Sequence, residues 1–299
     1  MTFLHDATIA RLQKMANWPD FGDTRYTIID EIGRGGMGAV YLAVDDRLGR
    51  EVAVKISNGI PGAEVERRLE GEARILASLE HPGIVPIHDM GRLADGRLFY
   101  VMKRVRGTTL MDHVREIASL SERLGIFERI CEAVTFAHAH GVVHRDLKPD
   151  NVMIGPFGEV LVMDWGIAQA GAAETGATIT GTRGFMAPEQ ERGEMIDART
   201  DVYSLGAVLS WMAGQTVPWA LRAICERAMA STASDRYSSA AALAADVSRF
   251  RAGHAVDAHR ESPLERAGRF ARTYRVAILL IVGYVVMRAL VAYFAGAED

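Results

Sequence analysis

The residue pattern of this chain changes once, from strand-like to helix-like, and that change is its strongest constraint on the fold. From Tyr26 to about residue 103, short runs rich in valine, isoleucine and tyrosine are separated by glycine-rich or charged turns, which is typical of β-strands. Residues 63–80 interrupt these runs with apolar side chains at helical spacing. Helical periodicity dominates after residue 104, except in a loop-rich stretch at 141–190. The sequence therefore predicts an α+β fold with a β-rich unit containing one helix, followed by a mainly helical unit.

A glycine-rich hexapeptide, Gly33–Gly38, joins the first two predicted strands. Its G-x-G-x-x-G spacing is weak evidence alone, because dinucleotide-binding folds also use it. In those folds a helix follows the glycines, and an acidic residue comes about 20 positions later. Here a strand-like run, AVYLAVD, follows, and Asp45 and Asp46 come too early. A loop that covers phosphates is therefore favoured over an oxidoreductase, although a plain glycine-rich hairpin also fits this motif taken alone.

A lysine and a glutamate of the β-rich unit are predicted to meet. Strand alternation places Ala53 and Lys55 on one face, which can be the face beneath the glycine loop. Glu72 comes three residues after Leu69 and four before Leu76, so it falls on the apolar stripe of the predicted helix. A carboxylate there is costly unless a cation meets it, and Lys55 is the obvious candidate. The alternative is that Glu72 lies at the edge of the stripe and is solvated.

The loop-rich stretch contains the residues with the most specific chemistry. The run His144–Asn151, HRDLKPDN, precedes a short β-like pair, and Asp164-Trp165-Gly166 begins thirteen residues after Asn151. Carboxylate and amide oxygens of this kind suit Mg²⁺, which takes few protein ligands in addition to phosphate oxygens. Ordinary turn residues explain any one of these positions, but not all of them in this order. The stretch therefore indicates a magnesium–phosphate site.

Eight motifs together resemble those of eukaryotic-type (Hanks-type) protein kinases. Their sequences are most similar to those of the bacterial membrane-bound serine/threonine kinases. They occur in the family's order between residues 26 and 250: GRGGMGAVYLA, VAVK, HPGIV, HRDLKPDN, DWG, GTRGFMAPE, DVYSLG and DRY. The resemblance implies a bilobal protein kinase fold. It also implies transfer of the γ-phosphate of ATP to Ser/Thr hydroxyls of proteins, autophosphorylation and a role in signal transduction.

The resemblance also implies which side chains act on the transferred phosphate. The backbone of Gly33–Gly38 would cover the ATP phosphates. Lys55 would bind the α- and β-phosphates and would be held by Glu72. Asp146 would accept the proton of the substrate hydroxyl, and Lys148 would neutralise the γ-phosphate during transfer.

The metal ions and the nucleotide are assigned by the same resemblance. Asn151 and Asp164 would hold two Mg²⁺ ions, with Mn²⁺ as a substitute. The adenine would lie against Val40, Ala53 and Met153, with Met102 at the back of the pocket and the hinge at 103–105. The expected ATP-binding residues are Ile32, Gly33, Arg34, Gly35, Gly36, Met37, Gly38, Ala39, Val40, Ala53, Lys55, Met102, Lys103, Val105 and Met153.

An ATP-binding scaffold that transfers no phosphate, a pseudokinase, is the second hypothesis. The residues that argue against it are all present: Lys55, Glu72, Asp146, Asn151 and Asp164. An active enzyme is therefore favoured.

The family pattern also predicts structural pairs, and this chain departs from the pattern in places. Glu189 and Arg236 are expected to form a buried ion pair, and Asp201 is expected to brace the turn of the HRD motif.

Trp165 replaces the commoner phenylalanine, so packing behind the metal-binding aspartate is expected to differ. Only 34 residues separate Asp201 from Arg236. The helix that usually follows the central helix of the large lobe is therefore predicted to be missing.

Specificity and activation are expected from a few further residues. Lys148, two residues after the catalytic aspartate, matches the serine/threonine branch of the family. Arg145 precedes that aspartate and could pair with a phosphate on the loop at 168–181. The candidate phosphosites there are Thr178 and Thr180, then Thr175; the alternative is a polar surface loop.

A hydrophobic run at 276–295 predicts a transmembrane helix. It has twenty residues and one charge, Arg288, and about 20 apolar residues cross a bilayer core. Five arginines between residues 260 and 275 precede the run, whereas Glu298 and Asp299 follow it. Because positively charged flanks stay on the cytoplasmic side, the chain is expected to be a single-pass cell-membrane protein with a cytoplasmic kinase domain. The alternative is a helix that packs on the kinase or a partner. The N-terminus lacks the pattern of a signal peptide.

The composition of the chain indicates which classes of partner to expect. A net charge of −4 gives no reason to expect nucleic acid, and Cys131 and Cys225 are interpreted as small apolar residues of a reducing compartment rather than a disulfide. Protein substrates, the membrane and a possible dimer for trans-autophosphorylation are the expected partners.

The predicted segments are a lead at 1–25, a small lobe at 26–103, a large lobe at 104–251, a basic linker at 252–275, the membrane helix at 276–295 and a tail at 296–299.

Overall fold

An antiparallel sheet and one helix form the small lobe. The computed structural model describes residues 18–35, 38–57, 64–165, 184–259, 266, 268 and 274–295. The sheet has five strands in the order β1-β2-β3-β5-β4. These elements are β1 (Tyr26–Arg34), β2 (Gly38–Asp45), β3 (Arg50–Ser57), α1 (Glu64–Ser78), β4 (Ile87–Arg92) and β5 (Leu98–Lys103). Both the strands and the helix lie where the periodicity predicted them.

The two faces of this sheet bury different side chains. Ala53, Tyr100 and Met102 pack with Leu69 of α1 in an inner cluster. The outer face collects Val52, Val54 and several aromatic rings in a separate cluster. The predicted alternation along β3 is therefore confirmed.

The residues just before β1, within the predicted N-terminal lead, pack against the small lobe. Phe21 is buried on the outer face of the sheet, where its ring lies 5.3 Å from that of Phe99, and Trp18 packs against the same cluster. Residues 1–17, with the helix predicted there, lie outside the described part of the chain. The packed small lobe therefore begins before Tyr26, because its outer face needs these rings to exclude water.

The large lobe is mainly helical, with a small sheet facing the other lobe. Side-chain caps at Ser119, Asp197 and Ser239 begin its three longest helices. The elements are β6 (Thr108–Thr109), α2 (Leu110–His113), α3 (Leu120–Ala139), β7 (Val152–Ile154), β8 (Val160–Val162), α4 (Pro188–Glu191), α5 (Ala198–Ala213), α6 (Trp219–Ala228) and α7 (Ala240–Arg251). One core cluster joins α3, α5, α6 and α7 to the small sheet.

A close helix contact replaces the helix that was predicted to be missing. Only residues 214–218 separate α5 from α6. At Gly206 an added Cβ would lie 2.6 Å from the Cβ of Ala228, so α5 and α6 approach each other directly. Cys131 and Cys225 are both free and buried, as predicted.

The large lobe continues beyond its predicted end at residue 251. Val256 is buried in the core, and Asp246 accepts hydrogen bonds from the backbone N–H groups of Asp257 at 2.7 Å and Ala258 at 2.9 Å. The Tyr237 hydroxyl donates to the same carboxylate at 2.7 Å. The first residues of the predicted linker therefore belong to the folded lobe, because a fully buried carboxylate needs these donors.

The last described element is α8 (Arg275–Ala295), which exposes large apolar side chains from Val276 to Leu290. In the part of the chain that the structure describes, no helix is both long and apolar enough to span a membrane.

Candidate active site

Lys55 lies at the centre of a buried charge network in the small lobe. Its Nζ lies 2.8 Å from Oε1 of Glu72 on α1 and 3.4 Å from Oδ1 of Asp164 in the large lobe. Burial by itself would lower the pKa of Lys55, but the nearby carboxylates of Glu72 and Asp164 outweigh it, so that the pKa is raised. The ammonium is therefore permanently charged and lies between the lobes.

Tyr100 is a member of this network that the sequence did not identify. β3 and β5 pair Lys55 directly with Tyr100, and the tyrosine hydroxyl donates to Oε1 of Glu72 at 2.8 Å. In the sequence, Tyr100 is one residue of an apolar strand. Only the register between the two strands would have revealed its position beside Lys55.

The HRD loop gathers three polar side chains in the large lobe. Lys148 Nζ donates to Oδ2 of Asp146 at 2.8 Å. Asn151 Nδ2 donates to the backbone oxygen of Asp146 at 2.8 Å and to its Oδ2 at 3.2 Å. The carboxylate of Asp146 is thus oriented by an ammonium and an amide, and it keeps an accessible edge with 16% of its side chain exposed.

Two residues of this site adopt a left-handed backbone conformation that non-glycine residues seldom adopt. Arg145 has φ +70° and Asp164 has φ +53°, and they are the only such non-glycine residues in the described ranges. The backbone N–H of Arg145 donates to Asp201 at 2.9 Å, and its carbonyl accepts from Nε2 of Gln190 at 2.7 Å. Strained residues of this kind cluster at functional sites, where the surrounding structure imposes them.

Asp201 supports the HRD turn from below, as the sequence predicted. Its carboxylate accepts from the backbone N–H of His144 at 2.8 Å and from Nε2 of His138 at 2.7 Å, in addition to Arg145. Burial alone would raise the pKa of Asp201, but the bonds from His138 and His144 lower it below its ordinary value. The carboxylate therefore stays ionised and holds the loop that carries Asp146.

Trp165 follows Asp164 in the chain and is fully buried. Its indole N–H donates to the carbonyl of Val162 at 3.1 Å, and its ring lies 4.6 Å from the ring of His144. His144 in turn donates from Nε2 to the carbonyl of Met163 at 2.9 Å. The indole thus supplies one hydrogen bond that a phenylalanine could not make.

The residues predicted to bind the nucleotide lie in both lobes. Val40, Ala53, Met102 and Val105 share one apolar cluster with Met163. Of the other residues predicted to bind ATP, the structure places Ile32, Gly33, Arg34 and Gly35 on or beside the end of β1, Gly38 and Ala39 in β2, Lys103 at the end of β5 and Met153 in β7. Gly36, Met37 and the candidate phosphosites Thr175, Thr178 and Thr180 lie outside the described residues.

The hinge carries an ion-pair cluster. Arg104 and Arg106 both donate to Oε2 of Glu51 at the start of β3, the latter at 2.7 Å. These hydrogen bonds, from Arg106 first and then Arg104, lower the pKa of Glu51. Two basic side chains at or just after the hinge thus contact the small lobe.

A buried ion pair anchors the segment after the predicted phosphosite loop. Arg236 makes two parallel bonds to Glu189, Nη1 to Oε1 and Nη2 to Oε2, both at 2.7 Å. Thr200 also donates to Glu189 at 2.9 Å. The predicted pair is therefore confirmed.

Asn151 and Asp164 are the side chains that fit a divalent metal. They offer an amide and a carboxylate, the oxygen donors that Mg²⁺ accepts, and 54% of the Asp164 side chain is exposed. Within the described ranges, no group of three or more His, Cys, Asp and Glu side chains could hold a metal by itself. A metal here would therefore need oxygen ligands from water or phosphate as well.

A protein kinase is the class that this fold and this site define. The protein kinase domain profile matches residues 26–248, and the chain belongs to that family. It is similar to the serine/threonine-protein kinase PknB of Mycolicibacterium smegmatis, at 37% identity over 286 residues, covering 80% of this chain and 45% of that protein. PknB of Mycobacterium leprae is 42% identical over 210 residues, covering 65% and 33%. PknD of Chlamydia caviae is 32% identical over 286 residues, covering 75% and 31%. The resemblance stated from the motifs is confirmed, although the chain spans less than half the length of these relatives.

Proposed function

We propose that the chain is an active serine/threonine protein kinase that transfers the γ-phosphate of ATP to protein hydroxyls and to itself. The observation that carries this proposal is the complete set of charged groups between the lobes. Lys55 is paired with Glu72, Asp146 is oriented by Lys148, and Asp164 faces the same space. Phosphoryl transfer needs positioning and cations more than covalent help, and this arrangement supplies both.

Each side chain has a task in this proposal. Asp146 accepts the proton of the substrate hydroxyl, because its oriented carboxylate keeps an exposed edge. Lys148 lies 2.8 Å from that carboxylate and stabilises the charge on the transferring phosphoryl group. Lys55 binds the α- and β-phosphates from the opposite lobe, and the cluster around Ala53 and Met102 receives the adenine.

Mg²⁺ is the proposed metal, held by Asn151 and Asp164. When bound, it would neutralise phosphate charge and fix the geometry of the phosphate oxygens. The Asn151 amide nitrogen bonds to Asp146, which leaves its amide oxygen as the donor for the metal. Asp164 would contribute its carboxylate from a residue with a left-handed backbone conformation.

Phosphoserine and phosphothreonine are the expected products of autophosphorylation and of transfer to a generic protein substrate such as casein. Lys148 beside Asp146 is the residue that favours this branch. Purified chain incubated with MgATP should show phosphate on serine and threonine by mass spectrometry, and chelation of the metal with EDTA should abolish the signal. A product dominated by phosphotyrosine, or an EDTA-resistant signal, would contradict the proposal.

We further propose that residues 276–295 cross the membrane once, with the kinase lobes in the cytoplasm. α8 exposes large apolar side chains along its described length, among them Leu279, Leu280 and Val285 at 57–69% exposure. Exposed apolar surface of this extent marks an interaction site. The structure describes side chains of this helix as far as Leu290. The full run of twenty residues would be about 30 Å long as a helix, at 1.5 Å per residue, which matches the thickness of a bilayer core. Arg288 costs about 2.5–3.5 kcal/mol near the middle of a bilayer, which the many aliphatic residues can offset.

Deletion of residues 276–299 should release the protein from membranes that otherwise retain it through a carbonate wash. A double substitution, Leu279→Asp with Val282→Asp, should have the same effect because each aspartate costs about 3 kcal/mol in a bilayer. Phe157→Asp is the matched control, since Phe157 is the most exposed large apolar residue outside α8 in the described ranges, at 91%. Release of the unaltered chain by carbonate would exclude the anchor.

A further inference from the structure

The hydroxyl of Tyr100 and the ammonium of Lys55 share one carboxylate oxygen. Each lies 2.8 Å from Oε1 of Glu72, the tyrosine from β5 and the lysine from β3. All three side chains are buried, at 1–6% exposure of the residue. Water therefore cannot substitute for either donor, and the orientation of this carboxylate depends on both.

Tyr100 is restricted to the role of a donor in this contact. Burial raises the pKa of its phenol well above the ordinary value, so that the hydroxyl stays protonated beside the carboxylate. The Lys55 ammonium also lies 5.8 Å from the centroid of the tyrosine ring, within the range of a cation–π interaction. Tyr100 thus contacts both members of the ion pair.

The Tyr100–Glu72 bond is one of the polar contacts that join α1 to the sheet. Towards its N-terminal end, α1 also pairs through Glu66 with Arg92, at 3.1 Å; 5% of the glutamate side chain and 52% of the arginine side chain are exposed. Solvent screens a pair with one exposed partner, whereas fully buried hydrogen bonds to charged groups are strong. The Tyr100–Glu72 bond is therefore the better placed of the two to keep the middle of α1 against the sheet.

We propose that Tyr100 is a positioning residue: it holds Glu72, and with it α1, so that Lys55 stays aimed into the space between the lobes before any nucleotide binds. The proposal rests on the kinase function proposed above for its effect on catalysis. Its effect on the position of α1 does not depend on that function. The two effects can therefore be measured separately.

Tyr100→Phe is the variant that tests the proposal, because it keeps the ring and removes only the shared hydrogen bond. Hydrogen exchange of the α1 amides from Leu69 to Leu76 should become at least about tenfold faster, as expected for the loss of a buried bond to a charged group. The matched control is Tyr26→Phe, which removes a hydroxyl that donates to Asp89 at 2.7 Å in the same lobe. Exchange of α1 in the control should match that of the unaltered chain.

The same variants separate positioning from general stability through kinetics. Tyr100→Phe should lower kcat at saturating ATP by about tenfold and change the KM for ATP by less than about threefold, because Lys55 acts most strongly on the charge that develops on the leaving β-phosphate during transfer. In a Glu72→Ala background the further effect of Tyr100→Phe should disappear, since the shared acceptor is gone.

Unchanged α1 exchange in Tyr100→Phe, or an equal kinetic loss in the Glu72→Ala background, would overturn the positioning role. Absence of transfer by the unaltered chain would instead contradict the proposed function. In that case hydrogen exchange still decides whether Tyr100 holds α1.

Discussion

Lys55→Met and Asp164→Ala should each reduce phosphoryl transfer by about a hundredfold to a thousandfold while the fold remains intact. Lys55 supplies a buried positive charge, and Asp164 supplies the exposed carboxylate proposed to hold a metal. Both act on charge that develops during transfer, and losing one preorganised electrostatic group typically costs 10²–10³ in rate. The measurement is the initial rate of labelled phosphate transfer from ATP to casein, with folding checked by circular dichroism.

Asp95→Ala is the matched control for the Asp164 variant. Asp95 is similarly exposed, at 47% against 54% for Asp164, and it pairs only locally with Arg97. Its loss should leave the transfer rate within about twofold of that of the unaltered chain. Near-normal turnover by folded Lys55→Met or Asp164→Ala would show that the proposed roles are wrong.

Glu189→Ala should destabilise the large lobe by about 3–5 kcal/mol, because it leaves a buried arginine without its carboxylate. The side chain of Arg236 is fully buried, and its pair with Glu189 is bidentate. For a domain of this size the loss corresponds to a fall in melting temperature of about 6–20 °C. Differential scanning calorimetry of the purified variant measures it.

Glu194→Ala provides the control for that variant in the same segment. It breaks the pair with Arg192, in which both side chains are about half exposed, so its melting temperature should fall by no more than about 2–4 °C. Bonds from Arg236 and Thr200 lower the pKa of Glu189 against the opposing effect of burial. The stability that Glu189 contributes is therefore present at neutral pH and is lost as the pH falls below about 4.5. Equal melting temperatures for the two variants would contradict this account of the ion pair.

Much of the fold was predictable because periodicity and motif order are local signals. The alternation through Ala53 and Lys55 gave the faces of β3, and the apolar stripe through Glu72 gave the buried side of α1. The 34 residues between Asp201 and Arg236 indicated the missing helix, and the structure leaves only 214–218 between α5 and α6. These features depend on spacing within one segment, which a sequence shows directly.

The contacts that the sequence did not reveal all join segments far apart along the chain. Tyr100 reaches Glu72 only because β3 and β5 pair in one register. In the sequence Phe21 lies in a polar segment, and only the structure shows that its ring packs beside the ring of Phe99. Asp246 resembles an ordinary helix carboxylate, yet it binds the backbone of residues 257 and 258. Such contacts follow from tertiary packing, and no local pattern encodes them.

Asp146→Asn tests the central claim, catalytic transfer by an assembled kinase site, most directly. The substitution keeps the size of the side chain and removes its capacity to accept a proton. Binding of MgATP by calorimetry and transfer of labelled γ-phosphate should be measured on the same preparations of both proteins. The account predicts that both proteins bind MgATP with similar affinity, while only the unaltered chain transfers phosphate to serine and threonine. Binding without transfer in the unaltered chain, or equal transfer by both proteins, would contradict it.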